Sequence, residues 1–148
     1  MYLFTDSKVL SIVGLADEIK PNMKEVINNL HKKGKKVVML TGDNNETARI
    51  IADKLQITEV VSNVSPQEKL EKIKELNQNK NCLMVGDGIN DSPALKAATV
   101  GVSVQNGTDI SNDASDVILL NENMETVCEL FNIGNKTIKI IKENLFWA

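Results

Sequence analysis

Between Lys20 and Leu120 the chain alternates between two kinds of stretch. Lys36 to Leu40, Glu59 to Ser62, Cys82 to Val85, Val100 to Val104 and Asp116 to Leu120 are short runs rich in apolar and β-branched residues, the size of single buried strands. The stretches between them repeat apolar residues every three or four positions, as one face of a helix does. Met23, Val26, Ile27 and Leu30 form the first such set, with Pro21 as a helix-starting proline and Gly34 as the C-cap. Ala48, Ile51, Ala52 and Leu55 form the second. Ser65-Pro66-Gln67-Glu68 opens the third with a serine cap, a proline and a glutamate three residues on, and Leu70, Ile73 and Leu76 continue it. A fourth runs from Asp91 to about Ala98. This alternation predicts an α/β fold: a parallel sheet with helices on both faces.

The ends of the chain read differently. Tyr2 to Phe4 and Val9 to Leu15, around the polar Thr5-Asp6-Ser7-Lys8, predict a β-hairpin. Thr108 and Asp109 begin a short helical turn. From Asn123 a longer helix runs on Val127, Leu130, Phe131, Ile138, Ile141 and Leu145, with a break expected near Gly134.

The chain's 148 residues suffice for one ordinary domain, and 42% hydrophobic residues predict a packed core rather than disorder. A net charge of −3 gives no electrostatic case for a nucleic-acid partner. No apolar stretch approaches the roughly 20 residues of a membrane helix. Met1 to Leu10 carries Asp6 and Lys8 and has no signal-cleavage pattern. Cys82 and Cys128 sit in apolar settings without CxxC spacing, as small buried hydrophobes of a reducing compartment do. His31, beside Lys32 and Lys33, reads as part of a solvated helix face.

Chemistry concentrates at two strand exits. After Cys82 to Val85 comes Gly86-Asp87-Gly88-Ile89-Asn90-Asp91, then Ser92-Pro93 opening a helix. Two glycines let the backbone turn tightly around Asp87 and come close to a ligand. Asp87 and Asp91, with the amide of Asn90 between them, offer oxygen ligands suited to Mg²⁺, which takes one or two carboxylates plus phosphate and water. Taken alone, Gly-Asp-Gly reads more readily as a surface turn. Thr41-Gly42-Asp43 leaves its strand in the same way, and its hydroxyl and amides are donors for a phosphoryl oxygen. Two strand ends of one parallel sheet converge naturally on one ligand. Lys69, in the first turns of its helix, opposes the helix dipole, which makes it slightly more notable than Lys72 or Lys74, but taken alone it reads more readily as one solvated lysine among many.

The full string Gly86-Asp87-Gly88-Ile89-Asn90-Asp91-Ser92-Pro93-Ala94-Leu95 resembles the Mg²⁺-binding loop of P-type ATPases, in the haloacid dehalogenase-like superfamily. Thr41-Gly42-Asp43-Asn44 resembles the second motif of that family. Ser65-Pro66-Gln67-Glu68-Lys69 resembles the segment whose lysine holds the phosphoryl group. Asp17-Glu18-Ile19-Lys20-Pro21 is similar to the hinge between the family's nucleotide-binding and phosphorylation domains. Gly107-Thr108-Asp109-Ile110, and Ala114 with Asp116-Val117-Ile118-Leu119, resemble the sequence after the Mg²⁺ loop and are read as fold-building. Ile140 to Ala148 resembles the stalk entering a membrane helix in copper-type members.

The resemblance covers nearly the whole chain. It implies a haloacid dehalogenase-like, Rossmann-like sheet plus an N-terminal hairpin. Residues 1–16 would be a remnant of the nucleotide-binding domain, 17–134 the phosphorylation-domain core and 135–148 the stalk. Thr41 and Lys69 would be catalytic. Thr41, Gly42, Asp43, Lys69 and Asn90 would bind phosphate, and Asp87 and Asp91 would hold Mg²⁺. The implied function is part of a copper-type, ATP-driven cation transporter at the cytoplasmic face of a membrane, the chain alone being soluble and cytoplasmic. Its partners would be the nucleophile segment, the nucleotide-binding domain and the membrane helices.

These 148 residues contain no Asp-Lys-Thr-Gly-Thr, the segment whose aspartate takes the phosphoryl group in the family. The strand carrying that aspartate stands, in the family, between those ending at Leu40 and Val85. The expectation is therefore a truncated or split piece, inactive alone, with the opening hairpin a candidate to fill the empty place. Two alternatives stay open. One is a small soluble phosphatase using Asp6, although Ser7-Lys8-Val9-Leu10 lacks the second aspartate and the glycine of that motif. The other is a non-catalytic Mg²⁺- or phosphate-binding partner of a second polypeptide.

Overall fold

The computed structural model describes residues 2–5, 8–12, 18–87, 90–104, 114–121 and 123–147. In order these form β1 (Tyr2–Thr5), β2 (Lys8–Ile12), α1 (Met23–Lys32), β3 (Val38–Leu40), α2 (Asn45–Leu55), β4 (Glu59–Val61), α3 (Pro66–Asn79), β5 (Leu83–Gly86), α4 (Ser92–Ala97), β6 (Val100–Val104), β7 (Val117–Leu119) and α5 (Glu125–Trp147). β3 pairs in parallel with β4, and β5, β6 and β7 form a second parallel ladder. β1 and β2 pair antiparallel with a register shift between Leu3 and Phe4. The predicted alternation is thus present, strand by strand.

The parallel strands fall into two ladders, β4-β3 and β5-β6-β7, with no pairing between β3 and β5 among the described residues. A strand inside a parallel sheet is normally buried on both faces. All three residues of β3 are only half-buried, and so are three of the four in β5. The place expected to be empty is unpaired on both sides. Among the described residues the hairpin does not fill it: β1 and β2 pair only with each other, and Leu3, Val9 and Leu10 are exposed.

Three clusters hold the body together. Ile27, Ala52, Leu55 and Ile57 join α1 and α2 to the β3-β4 ladder. Ile73, Met84, Ala94 and Leu95 join α3, β5 and α4, with Leu40 of β3 packed against them. Val102, Leu119 and Val127 join the second ladder to α5.

The helix ends follow the sequence with two exceptions. Gly34 takes φ 70°, and the pair Gly34 N–H to His31 O and Lys35 N–H to Leu30 O closes α1 as a Schellman motif. Pro21, however, does not start α1. Asn22 adopts the left-handed conformation, φ 61°, and its side chain donates to Glu125 on α5 at 3.2 Å instead of capping its own helix. α5 also runs unbroken through Gly134. A mid-helix glycine costs only about 1 kcal/mol relative to alanine, too little to break a helix of this length. Asn132 of α5 still accepts from Lys33 Nζ at 2.6 Å, and Ile138, Ile141, Leu145, Phe146 and Trp147 beyond it are exposed. None of the described helices is long and apolar enough to cross a membrane.

α3 has the capping box that its sequence predicts. Ser65 N–H donates to Glu68 Oε2 at 2.8 Å, and Glu68 N–H donates to Ser65 Oγ at 3.3 Å. The Ser65 backbone bond and then its hydroxyl hold the Glu68 carboxyl below the usual carboxylate range. A carboxyl lowered on folding stabilises above its unfolded pKa, about 4.3, and the contribution vanishes as pH falls through the folded value. Glu68→Gln is therefore expected to lower the urea midpoint at pH 7, and its gap to the wild type is expected to narrow as pH falls below about 4.3. A gap that stays constant with falling pH would show that the carboxylate charge is not what matters.

Candidate active site

β3 ends at Leu40, and Thr41 N–H still donates to Val61 O at 3.0 Å, extending the ladder one residue. The chain then turns on a local pair. Thr41 Oγ1 donates to Asp43 Oδ2 at 2.8 Å and accepts from Asp43 N–H at 3.1 Å. Asn44 caps α2 through Thr47 N–H at 2.9 Å. Gly42 and Asp43 are exposed, and Thr41 is half-buried.

The β4 exit is tied to the same place. Asn63 N–H donates to Asp43 O at 2.8 Å, and Val64 N–H donates to Thr41 O at 3.1 Å. Ser65 follows at once and starts α3, so Lys69 stands one helical turn from the Thr41 loop. Its Nζ donates to Asp91 Oδ1 at 2.8 Å, with side chains only 17% and 14% exposed. Asp91 is the N-cap residue of α4, at the exit of β5. A short bonded path, Thr41 to Val64 and Ser65 to Lys69 to Asp91, therefore joins the exits of both ladders. The two acid and threonine tips lie on the same edge.

Gly86 is required by this arrangement. A Cβ there would stand 2.7 Å from Asp91 Oδ2 and 2.9 Å from its Cβ. Only glycine lets the Asp91 carboxylate lie against the end of β5. Asp87 is exposed, and its Oδ1 accepts from Asn90 N–H at 3.3 Å. Gly88 and Ile89 lie outside the described residues.

Sequence reasoning grouped Asp87 with Asp91 and set Lys69 with Thr41. The structure adds the Lys69–Asp91 pair, for which a separation of 22 positions gives no local signal. It also explains why a lysine is tolerated at a helix N-terminus, where the dipole opposes it: a carboxylate faces it. Among the described residues no group of three or more His, Cys, Asp or Glu side chains could enclose a metal. Asp87 and Asp91 are the two carboxylates at the β5 exit, Asp91 already shared with Lys69, while the Asp43 carboxylate is bonded to Thr41. That donor set suits Mg²⁺ completed by phosphate and water, and not an ion needing an all-protein cage.

The other singled-out residues are placed as follows. His31 is exposed, as read. Cys82 and Cys128 are free and half-buried, and burial raises both thiols above their ordinary range. Asp116 is a fold-builder: its Oδ2 accepts from Gly101 N–H at 2.8 Å. Asp6, Asp17 and Gly107 to Ile110 lie outside the described residues.

The family model for haloacid dehalogenase-like hydrolases matches residues 2–99. The chain belongs to that family. As a haloacid dehalogenase-like chain it is also similar, along its whole length, to much longer proteins. It is 42% identical to "Copper-transporting ATPase 2" of Rhizobium meliloti, over 100% of this chain and 18% of that protein. It is 37% identical to "Copper-exporting P-type ATPase B" of Archaeoglobus fulgidus, over 100% of this chain and 21% of that protein. A zinc-transporting PIB-type ATPase solved in its E2.Pi state superposes with a TM-score of 0.84 at 34% identity, over 94% of this chain and 23% of that one. The haloacid dehalogenase-like chain thus spans about a fifth of the length of these relatives.

Proposed function

We propose that this chain is the larger part of the phosphorylation domain of a copper-type, cation-transporting P-type ATPase, with residues 17–134 as its core. Thr41 and Lys69 grip phosphoryl oxygens, assisted by the amides of Gly42 and Asp43 and by Asn90. Asp87, with the second oxygen of Asp91, is the place for Mg²⁺, which when bound neutralises charge on the phosphoryl group. Lys69 acts as a point charge, and Asp91 keeps that charge aimed along the sheet edge. The observation that carries this reading is the bonded path that brings Thr41, Lys69 and Asp91 to one edge.

The unpaired sides of β3 and β5 support a partner that supplies a parallel strand ending in an aspartate nucleophile. ATP is the phosphoryl donor of the assembled transporter, whose other partners are the nucleotide-binding domain and membrane helices. The exposed apolar end of α5 supports a stalk over residues 135–148, and hence a position on the cytoplasmic face of a membrane.

The test is to coexpress the chain with a segment carrying an apolar strand followed by Asp-Lys-Thr-Gly-Thr, and to titrate the complex with inorganic phosphate, with and without Mg²⁺. A stable complex with Mg²⁺-dependent phosphate binding is expected. Asp87→Asn is expected to weaken that binding about tenfold, as loss of a charged ligand does. Monomers in every mixture, or equal binding in Asp87→Asn, would overturn the reading.

A further inference from the structure

Lys69, Ile73 and Asn77 recur every four residues along α3, so they form one stripe on its surface. All three meet the segment that runs from Asp91 through α4 to Thr99. At one end Lys69 pairs with Asp91. In the middle Ile73, 3% exposed, packs with Ala94 and Leu95. At the other end Asn77 Nδ2 donates to Ala97 O at 2.5 Å. Asn77 Oδ1 accepts from Cys82 N–H at 3.1 Å and from Thr99 Oγ1 at 2.9 Å.

The amide of Asn77 suits this place for a definite reason. The last carbonyls of a helix have no partner inside it, and Ala97 O is one of them. Cys82 N–H, at the entry to β5, is shared between Asn77 Oδ1 and Thr99 Oγ1, each at 3.1 Å. One side chain with donors on one atom and lone pairs on the other satisfies both, and only one orientation of the amide does so. Asn77 therefore ties α3, the start of β5 and the end of α4 at the edge of the sheet opposite the candidate site.

We infer that Asn77 is a positioning residue for Lys69. Apolar contact at Ile73 is non-directional and leaves α3 free to roll or slide against α4. Hydrogen bonds are directional, so the two polar ends fix that freedom together. Asn77 lies eight residues from Lys69, roughly 12 Å along the helix. A roll released at Asn77 moves the ammonium off Asp91 and off the place where a phosphoryl oxygen would sit. The meaning of that displacement for phosphoryl binding rests on the function proposed above; the displacement itself does not.

The experiment acetylates lysines of the full chain under limiting reagent and reads Lys69 against Lys72 by peptide mass spectrometry. Lys72 lies on the same helix and pairs locally with Glu75, so it reports any general loosening. Asn77→Ala is expected to raise the Lys69:Lys72 labelling ratio about fivefold, the change in open population that follows a net loss of about 1 kcal/mol of hydrogen bonding. Ile73→Val, which weakens the core but keeps both polar ends, is expected to leave the ratio unchanged. An unchanged ratio in Asn77→Ala, or an equal rise in Ile73→Val, overturns the inference. If Asn77→Ala unfolds, both lysines label together. The isosteric Asn77→Asp then decides, since it keeps the acceptor, loses the donor to Ala97 and sets a carboxylate against that carbonyl; a wild-type ratio there is equally fatal. No phosphate is used, so a raised ratio stands even if the chain binds none.

Discussion

Gly101→Ala is expected to destabilise the chain by about 3 kcal/mol, the upper part of the range for overpacking a core. A Cβ at Gly101 would lie 2.6 Å from Leu95 O and 3.1 Å from Leu95 C, both backbone atoms of α4 that no rotamer change can move away. α4 has no room to retreat, because Leu95 and Ala94 are buried against Ile73 and Met84. β6 has none either. It pairs on both sides, with Met84 opposite Gly101, and Asp116 holds both the N–H and the carbonyl of Gly101. Urea unfolding of the 148-residue chain measures the effect, and a change below about 0.5 kcal/mol, ordinary for a surface position, would refute the close approach. The relief available to α4 is a shift that also carries Asp91 off Lys69. Asp91→Asn and Gly101→Ala should therefore be less than additive.

How far the sequence reached can be seen by comparing Gly101 with Gly86. Both stand at a strand that touches α4, and neither has an unusual φ. The Gly86 neighbourhood was legible because its polar residues are packed into six consecutive positions, and the strand, turn and helix start all have local signals. The close approach at Gly101 was not, since it depends on how a helix and a strand settle against each other in three dimensions. The same division runs through the rest of the molecule. Strand and helix order follows from apolar periodicity, and the capping box of α3 from Ser65 and Glu68 three residues apart. The unpaired sides of β3 and β5 were expected from the absent aspartate segment rather than from any property of those strands. The partner of Lys69, the amide link at Asn77 and the contact of Asn22 with Glu125 join residues far apart in the chain, where spacing is silent. Gly134 is the opposite case: a local signal for a helix break that a long helix simply overrides.

The Lys69–Asp91 pair separates stability from chemistry. With both side chains less than a fifth exposed, each charge has lost most of its water and depends on the other. Asp91→Leu leaves an ammonium half-dry and at the N-terminus of α3, where the helix dipole repels it. The expected cost is about 3 kcal/mol, the lower end for breaking a buried pair because some exposure remains. Lys69→Met alone strands the carboxylate and should cost somewhat less, since Asp91 sits at the N-terminus of its own helix. The double replacement Lys69→Met with Asp91→Leu removes both desolvation penalties and adds apolar surface beside Ile73 and Ala94. It should return the chain to within about 1 kcal/mol of the wild type. Assembled with the aspartate-bearing segment, all three variants should nevertheless lose Mg²⁺-dependent phosphate binding. Losses in the single variants that simply add in the double one would mean that the two charges do not lean on each other. A double variant that regains stability and still binds phosphate as the wild type does would remove Lys69 from the proposed site.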